Sequence, residues 1–217
     1  MIYKASVAQR TIWQRKIGSK TGTLVDPFRL CRYRYESALE EKVLLVSAAN
    51  PSIREIREQQ KLSFVRDGRR VPNWVDIQTF WKNGLVQANY LKYEEGVTRA
   101  LERDIELTVD QVGDRFAHEY RIVTEADLTA NQIANARDVI ECAKDFDREA
   151  EGLVKAVLKV LPDRVLLAEV AAATRLGTRA VRAATAMVGK GFLEIPRNVR
   201  LDGQTLLLNR VGFDRSR

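Results

Sequence analysis

The dipeptide Asn83-Gly84, standing between two apolar runs, constrains this chain more tightly than any other feature. In a two-residue type I′ turn both central residues need positive φ, which Asn and Gly tolerate. The pair therefore predicts that residues 71–81 and 85–93 fold back on each other as antiparallel strands. A second turn signal, Asp67-Gly68, follows another β-like run over residues 61–65, so a three-stranded meander is expected. Ahead of it, Tyr35, Leu39, Val43 and Val46 recur at three- and four-residue steps, which predicts an amphipathic helix over 35–48, stopped by Asn50-Pro51. Beyond it come a helix over 94–109, a short strand over 119–124 and another helix over 125–144. That order describes an α+β domain with a mixed sheet flanked by helices. Residues 1–30 are polar, carry Gly18, Gly22 and Asp26-Pro27, and read as a loosely structured basic arm.

The last third changes character. A helix over 152–161 ends at Pro162, and helices over 166–173 and 178–188 flank Arg175-Leu176-Gly177, the glycine-containing turn of a helix-turn-helix. Residues 192–195 and 205–209 are β-like and joined by a loop holding Asp202-Gly203, which completes winged-helix order. In the candidate recognition helix over 178–188, Val181, Ala184 and Val188 face inward and Arg179 and Arg182 outward. The expected organisation is an arm over 1–30, the α+β domain over 31–148 and a winged-helix domain over 149–217.

Charge suggests the partner. The chain of 217 residues carries a net charge of +7 and a pI of about 9.5, which favours a polyanion. Arg175, Arg179, Arg182 and Lys190, with Arg69 and Arg70 around a turn, are the expected contacts to double-stranded DNA. One histidine, His118, argues against His-based catalysis or a zinc site, and Cys31 and Cys142 lie too far apart in sequence for a metal knuckle. With no signal-peptide pattern and no apolar run of bilayer length, a cytoplasmic, nucleoid-associated protein without membrane contact is expected, with a homodimer left open.

Metal-dependent DNA cleavage needs carboxylates for Mg²⁺ and a lysine near the attacking water. Ser37-Ala38-Leu39-Glu40, Ile56-Arg57-Glu58-Gln59, Pro72-Asn73-Trp74, Val86-Gln87-Ala88-Asn89 and the run from Tyr120 to Leu128 occur in the order of a known set of motifs. In them the chain resembles the TnsA-type transposase endonucleases, which are built on the PD-(D/E)XK restriction-like fold and carry a winged-helix-like second domain. The resemblance implies that Glu40 is the helix carboxylate and Gln87 a tolerated ligand. It also implies partners: an integrase-type transposase and an ATPase regulator. Asn73 then stands where the central aspartate is expected, and Asn89 where the lysine is expected. The expectation is a remnant site that holds no metal and needs no cofactor, in a protein that binds DNA and has lost cleavage. Asp76 and Lys92 lie three residues beyond the two lost positions, an odd step that turns them to the opposite strand face unless a bulge intervenes. With Glu40 and Mg²⁺ they define the alternative, an active endonuclease with a relocated site. A third reading is a protein-interaction module of a transposition complex.

Overall fold

A computed structural model describes residues 2–10 and 20–211. The fold is α+β and divides into two units, Met1–Ser47 with Ser52–Leu128 and Ala48–Pro51 with Thr129–Arg217. Among the described residues no helix is long and apolar enough to cross a membrane.

In the first unit, β3 (Ile53–Arg66), β4 (Arg69–Trp81), β5 (Val86–Leu91) and β6 (Glu119–Val123) form one sheet in that order. Its pairings are antiparallel except β5 with β6, which are parallel and joined through α2 (Arg99–Val112). The hairpins form where the turn signals stand, but their chemistry is exchanged. At Asp67-Gly68 both residues take positive φ, 50° and 73°, between the paired Arg66 and Arg69, which is the two-residue turn expected at the other site. At Asn83-Gly84 only Gly84 does so, at φ 91°. There Trp81 N donates to Leu85 O across a longer loop, and the Asn83 side chain accepts from Leu85 N instead of Asn83 adopting positive φ.

Residues 22–35, partly assigned to a loose arm by composition, form a hairpin of β1 (Gly22–Asp26) and β2 (Cys31–Tyr35). Its signal is alternation: Leu24 and Asp26 on one strand and Tyr33 and Tyr35 on the other are buried. Buried Asp26 accepts from the backbone N–H groups of Phe28 and Arg29 and pairs with the Arg29 guanidinium at 2.7 Å, closing the turn. The following helix, α1 (Ala38–Ala49), begins three residues later than the periodicity suggested because Tyr35 ends β2. Apolar residues of one sheet face, among them Leu62, Val75, Ala88 and Tyr90, pack on Ile105 and Leu101 of α2.

The second unit holds α3 (Ala130–Lys144), α4 (Arg148–Leu158), β7 (Arg164–Leu166), α5 (Leu167–Thr174), α6 (Thr178–Gly189), β8 (Leu193–Glu194) and β9 (Leu206–Asn209). Its three strands form an antiparallel sheet ordered β7-β9-β8. β7, too short to show periodicity, was not expected. The boundary near residue 129 differs from the expected 148/149, because α3 packs on α6 and so belongs with the C-terminal elements. α3 starts at Thr129, whose hydroxyl accepts from Gln132 N while the Gln132 side chain accepts from Thr129 N.

Buried Asn135 of α3 ties this unit together. Its amide donates to Val199 O at 2.7 Å and accepts from the Arg200 guanidinium and from Leu201 N. Asn135→Ala leaves a buried N–H and C=O without partners, so it should lower stability by about 1–3 kcal/mol in urea denaturation. An unchanged midpoint would show that the loop before β9 does not depend on this amide.

Candidate active site

The two faces of the central sheet can be assigned from register. On β5, Val86, Ala88 and Tyr90 face α2, so Gln87, Asn89 and Leu91 face the other way. The pairs Thr79↔Gln87 and Ile77↔Asn89 put Thr79 and Ile77 on that second face, with Gln78 on the α2 side, where its amide donates to Phe116 O. Val75 and Asn73 also lie on the α2 side. From Val75 to Gln78 is an odd step, so the alternation slips once and Asp76 and Ile77 share the second face. The hydrogen bonds mark the slip: Leu91 N donates to the Asp76 carboxylate at 2.8 Å. β3 breaks at the same level. Gln59 has φ 49°, lies between Glu58↔Ile77 and Gln60↔Val75, and donates its amide to Asp76 Oδ1 at 3.3 Å.

This slip brings Asp76 to Glu40. The Glu40 carboxyl is buried and raised above its ordinary value, first by burial and then by the charges of Asp76 and Glu36, against hydrogen bonds from Glu36 N and the Ser37 hydroxyl. Asp76 is also raised, first by burial, although Leu91 N and Gln59 stabilise its charged form and the cations of Lys92 and Arg10 act on it. Glu40 has a local role as well: Ser37 Oγ accepts from Glu40 N at 3.1 Å, capping α1. The Ser-x-x-Glu spacing therefore serves helix initiation and also orients the carboxylate.

The structure separates other expected site residues. Asn73 is not beside Glu40; on the α2 face its amide donates to Tyr90 Oη and Thr108 Oγ1, both at 3.1 Å. Gln87 accepts from Trp81 Nε1 at 2.9 Å and donates to Glu119 at 2.7 Å. Asn89 faces the Asp76 side and donates to Ile77 O at 3.1 Å. Glu58 and Gln59 entered the sequence reading only as part of a motif, with no role in the site. Both are 1% exposed, and Gln59 Oε1 and Glu58 Oε2 have no hydrogen-bond partner among the described residues. Buried orphan oxygens cost about 1–3 kcal/mol each and call for a cause such as an ordered water, an ion or local strain.

The donors near Asp76 are all oxygen, the type that Mg²⁺ and Mn²⁺ take. Two carboxylates with depressed acidity and the orphaned Gln59 Oε1 form an oxygen environment of the kind Mg²⁺ or Mn²⁺ uses, with water filling the remainder. No cluster of three or more His, Cys, Asp or Glu side chains suited to a metal occurs among the described residues.

Three of the six expected DNA contacts pair with acidic side chains among the described residues. In α6, Arg179 pairs with Asp147 at 2.7 Å and Glu149 at 2.6 Å, Arg182 with Asp145 at 3.0 Å, and Lys190 with Glu151. The Arg179 guanidinium holds the Asp147 carboxyl down to about 2. α6 itself packs on α3, α4 and α5, with Ala183, Ala184, Ala186 and Met187 buried. Arg175 caps α5 with φ 57° and is exposed. In the first unit Arg69 is exposed, while Arg70 bonds to Ser63 Oγ and joins Lys61 and Gln9 in lining an open groove of about 770 Å³. His118 is structural: its Nδ1 accepts from Val86 N.

No protein-family model matches this chain, and no curated protein matches it.

Two outcomes follow. Raised carboxyls mean that the folded state holds protons the unfolded chain releases. The associated stability is present below the ordinary carboxylate range and is lost as pH rises through the raised folded values. Glu40→Gln should therefore raise Tm at neutral pH, with the gain vanishing in acid; a loss of Tm at neutral pH contradicts the burial of a charged pair. Asn73→Asp should lower stability by about 1–3 kcal/mol in urea and confer no added Mn²⁺ affinity, because position 73 faces α2.

Proposed function

We propose that the chain is a divalent-cation-dependent endonuclease acting on duplex DNA, related to the TnsA-type enzymes, with its site at Glu40 and Asp76. The observation that supports this best is the break in face alternation at Gln59 and Asp76, with the β3–β4 register kept on either side, where the Asp76 charge acts on Glu40. A bound cation would supply Lewis-acid activation of a phosphodiester. The protein's own groups do the rest. Glu40 and Asp76 hold negative charge at a partly buried place, Leu91 N and Gln59 orient Asp76, and Lys92, whose charge acts on Asp76, stands ready to balance charge on the phosphate. Arg69, Arg70 and Lys61 offer a cationic path for the DNA backbone in the same unit.

From α4 onward the elements run helix, strand, two helices, two strands, the order of a winged helix, with α3 preceding them. We read this unit as a winged helix whose α6 is enclosed by α3 and by acidic partners, and so as a docking module for the transposition partners the resemblance implies rather than the principal DNA reader. The lack of a third clustered acidic ligand among the described residues favours a second reading, DNA binding without cleavage.

Plasmid nicking decides between the two. The parent should nick supercoiled DNA with Mn²⁺ or Mg²⁺, and Glu40→Ala and Asp76→Ala should each reduce the rate by at least about a hundredfold while leaving duplex binding in place. Duplex binding with no nicking under either metal would establish the second reading.

A further inference from the structure

The N-terminal segment, residues 2–10, has more contacts than a loose arm requires. Lys4 bonds to Leu30 and Arg32 through its backbone, at 2.7 and 3.1 Å. Ser6 Oγ donates to buried Glu58, and Val7 O accepts from the Gln60 amide at 3.2 Å. Gln9 then pairs with β3 at the level of its break: Gln9 N donates to Gln59 O at 3.1 Å and Gln9 Oε1 accepts from Lys61 N at 2.9 Å. The segment thus covers the otherwise open edge of β3. The next residue is Arg10. Its guanidinium lies 3.6 Å from Glu36, the residue whose N–H binds the Glu40 carboxylate.

We propose that this segment is part of the site, and that the Gln9 clamp on Gln59 positions Arg10 beside Glu36 and the Glu40–Asp76 pair as a phosphate-binding residue. The proposal rests on the reading of Glu40 and Asp76 as a cation-dependent phosphodiester site. The geometry suits the role. Arg10 keeps 40% of its side chain exposed, whereas Glu36 keeps 16%, so the guanidinium stands on the solvent side of the ion pair. Among the described residues its one ion-pair contact, at 3.6 Å, leaves donors available, and a guanidinium presents a planar fork matched to two phosphate oxygens. Glu36 holds the cation in place without nucleic acid, and a phosphate that carries more charge displaces it. Arg10 also reaches Asp76 electrostatically. Before DNA arrives it therefore opposes a divalent cation at the pair, and it turns toward the phosphate once DNA is bound.

The test uses the full chain and short duplex DNA. Without divalent metal, Arg10→Ala should weaken duplex binding roughly tenfold, and the slope of log affinity against log salt should fall by about one. Arg10→Lys should recover the slope but not all of the affinity, since an ammonium lacks the fork. In a Mn²⁺ titration without DNA, Arg10→Ala should bind the ion about threefold or more tightly, because a nearby positive charge has been removed. A change confined to Tm, with duplex affinity, salt slope and Mn²⁺ affinity all at parental values, shows a merely structural ion pair and overturns the proposal. Failure of the underlying reading looks different: neither the parent nor Arg10→Ala binds Mn²⁺ and neither nicks plasmid, and the assignment of Arg10 falls with it.

Discussion

The Asp76 carboxylate that accepts from Leu91 N governs the first unit. Counted back from Thr79 and Ile77, an unbroken alternation would put Asp76 on the α2 face, among the apolar side chains packed on Ile105. Burying a carboxylate there would cost several kcal/mol. Matched irregularities in β3 and β4 instead carry it to the second face, where Gln59 and Leu91 satisfy it. The cost is visible: a non-glycine residue at positive φ, two orphaned oxygens and two carboxyls above their ordinary values on one small patch. Strain collected in one place, with the surrounding sheet well paired, is the pattern of a site under selection for something other than stability.

Parts of this were legible in the sequence because the signals were local. The two turns, α1, α2 and the helix pair around Arg175-Leu176-Gly177 all follow from glycine, proline and apolar spacing, and all are present. β1, β2 and β7 were missed. Each is five residues or fewer, and the first two are held by a buried ion pair and tyrosines rather than by an aliphatic run. The domain boundary was misplaced because the packing of α3 on α6 leaves no mark in either helix taken alone.

The site was legible only in pieces. Glu40 stood out through its spacing from Ser37, and Asp76 was named as a candidate on the condition of a bulge. The resemblance made Asn73 the counterpart of Glu40, and the structure places Asn73 against Thr108 instead. No composition signal announces a bulge when the residue at positive φ is glutamine rather than glycine. At α6 the sequence reading took in only one side of the charge pattern. Arg179, Arg182 and Lys190 read as a basic face, yet Asp145, Asp147, Glu149 and Glu151 are spaced to answer them. Such exposed pairs add little stability; in the structure they engage the cations that the sequence offered to DNA.

The most direct test of the account is anomalous diffraction from crystals soaked in Mn²⁺. The account predicts a peak within coordination distance of both Glu40 and Asp76, with Gln59 Oε1 turned toward it. A well-ordered crystal with no peak there, or with its only peak at the Gln87–Glu119 pair, would contradict it.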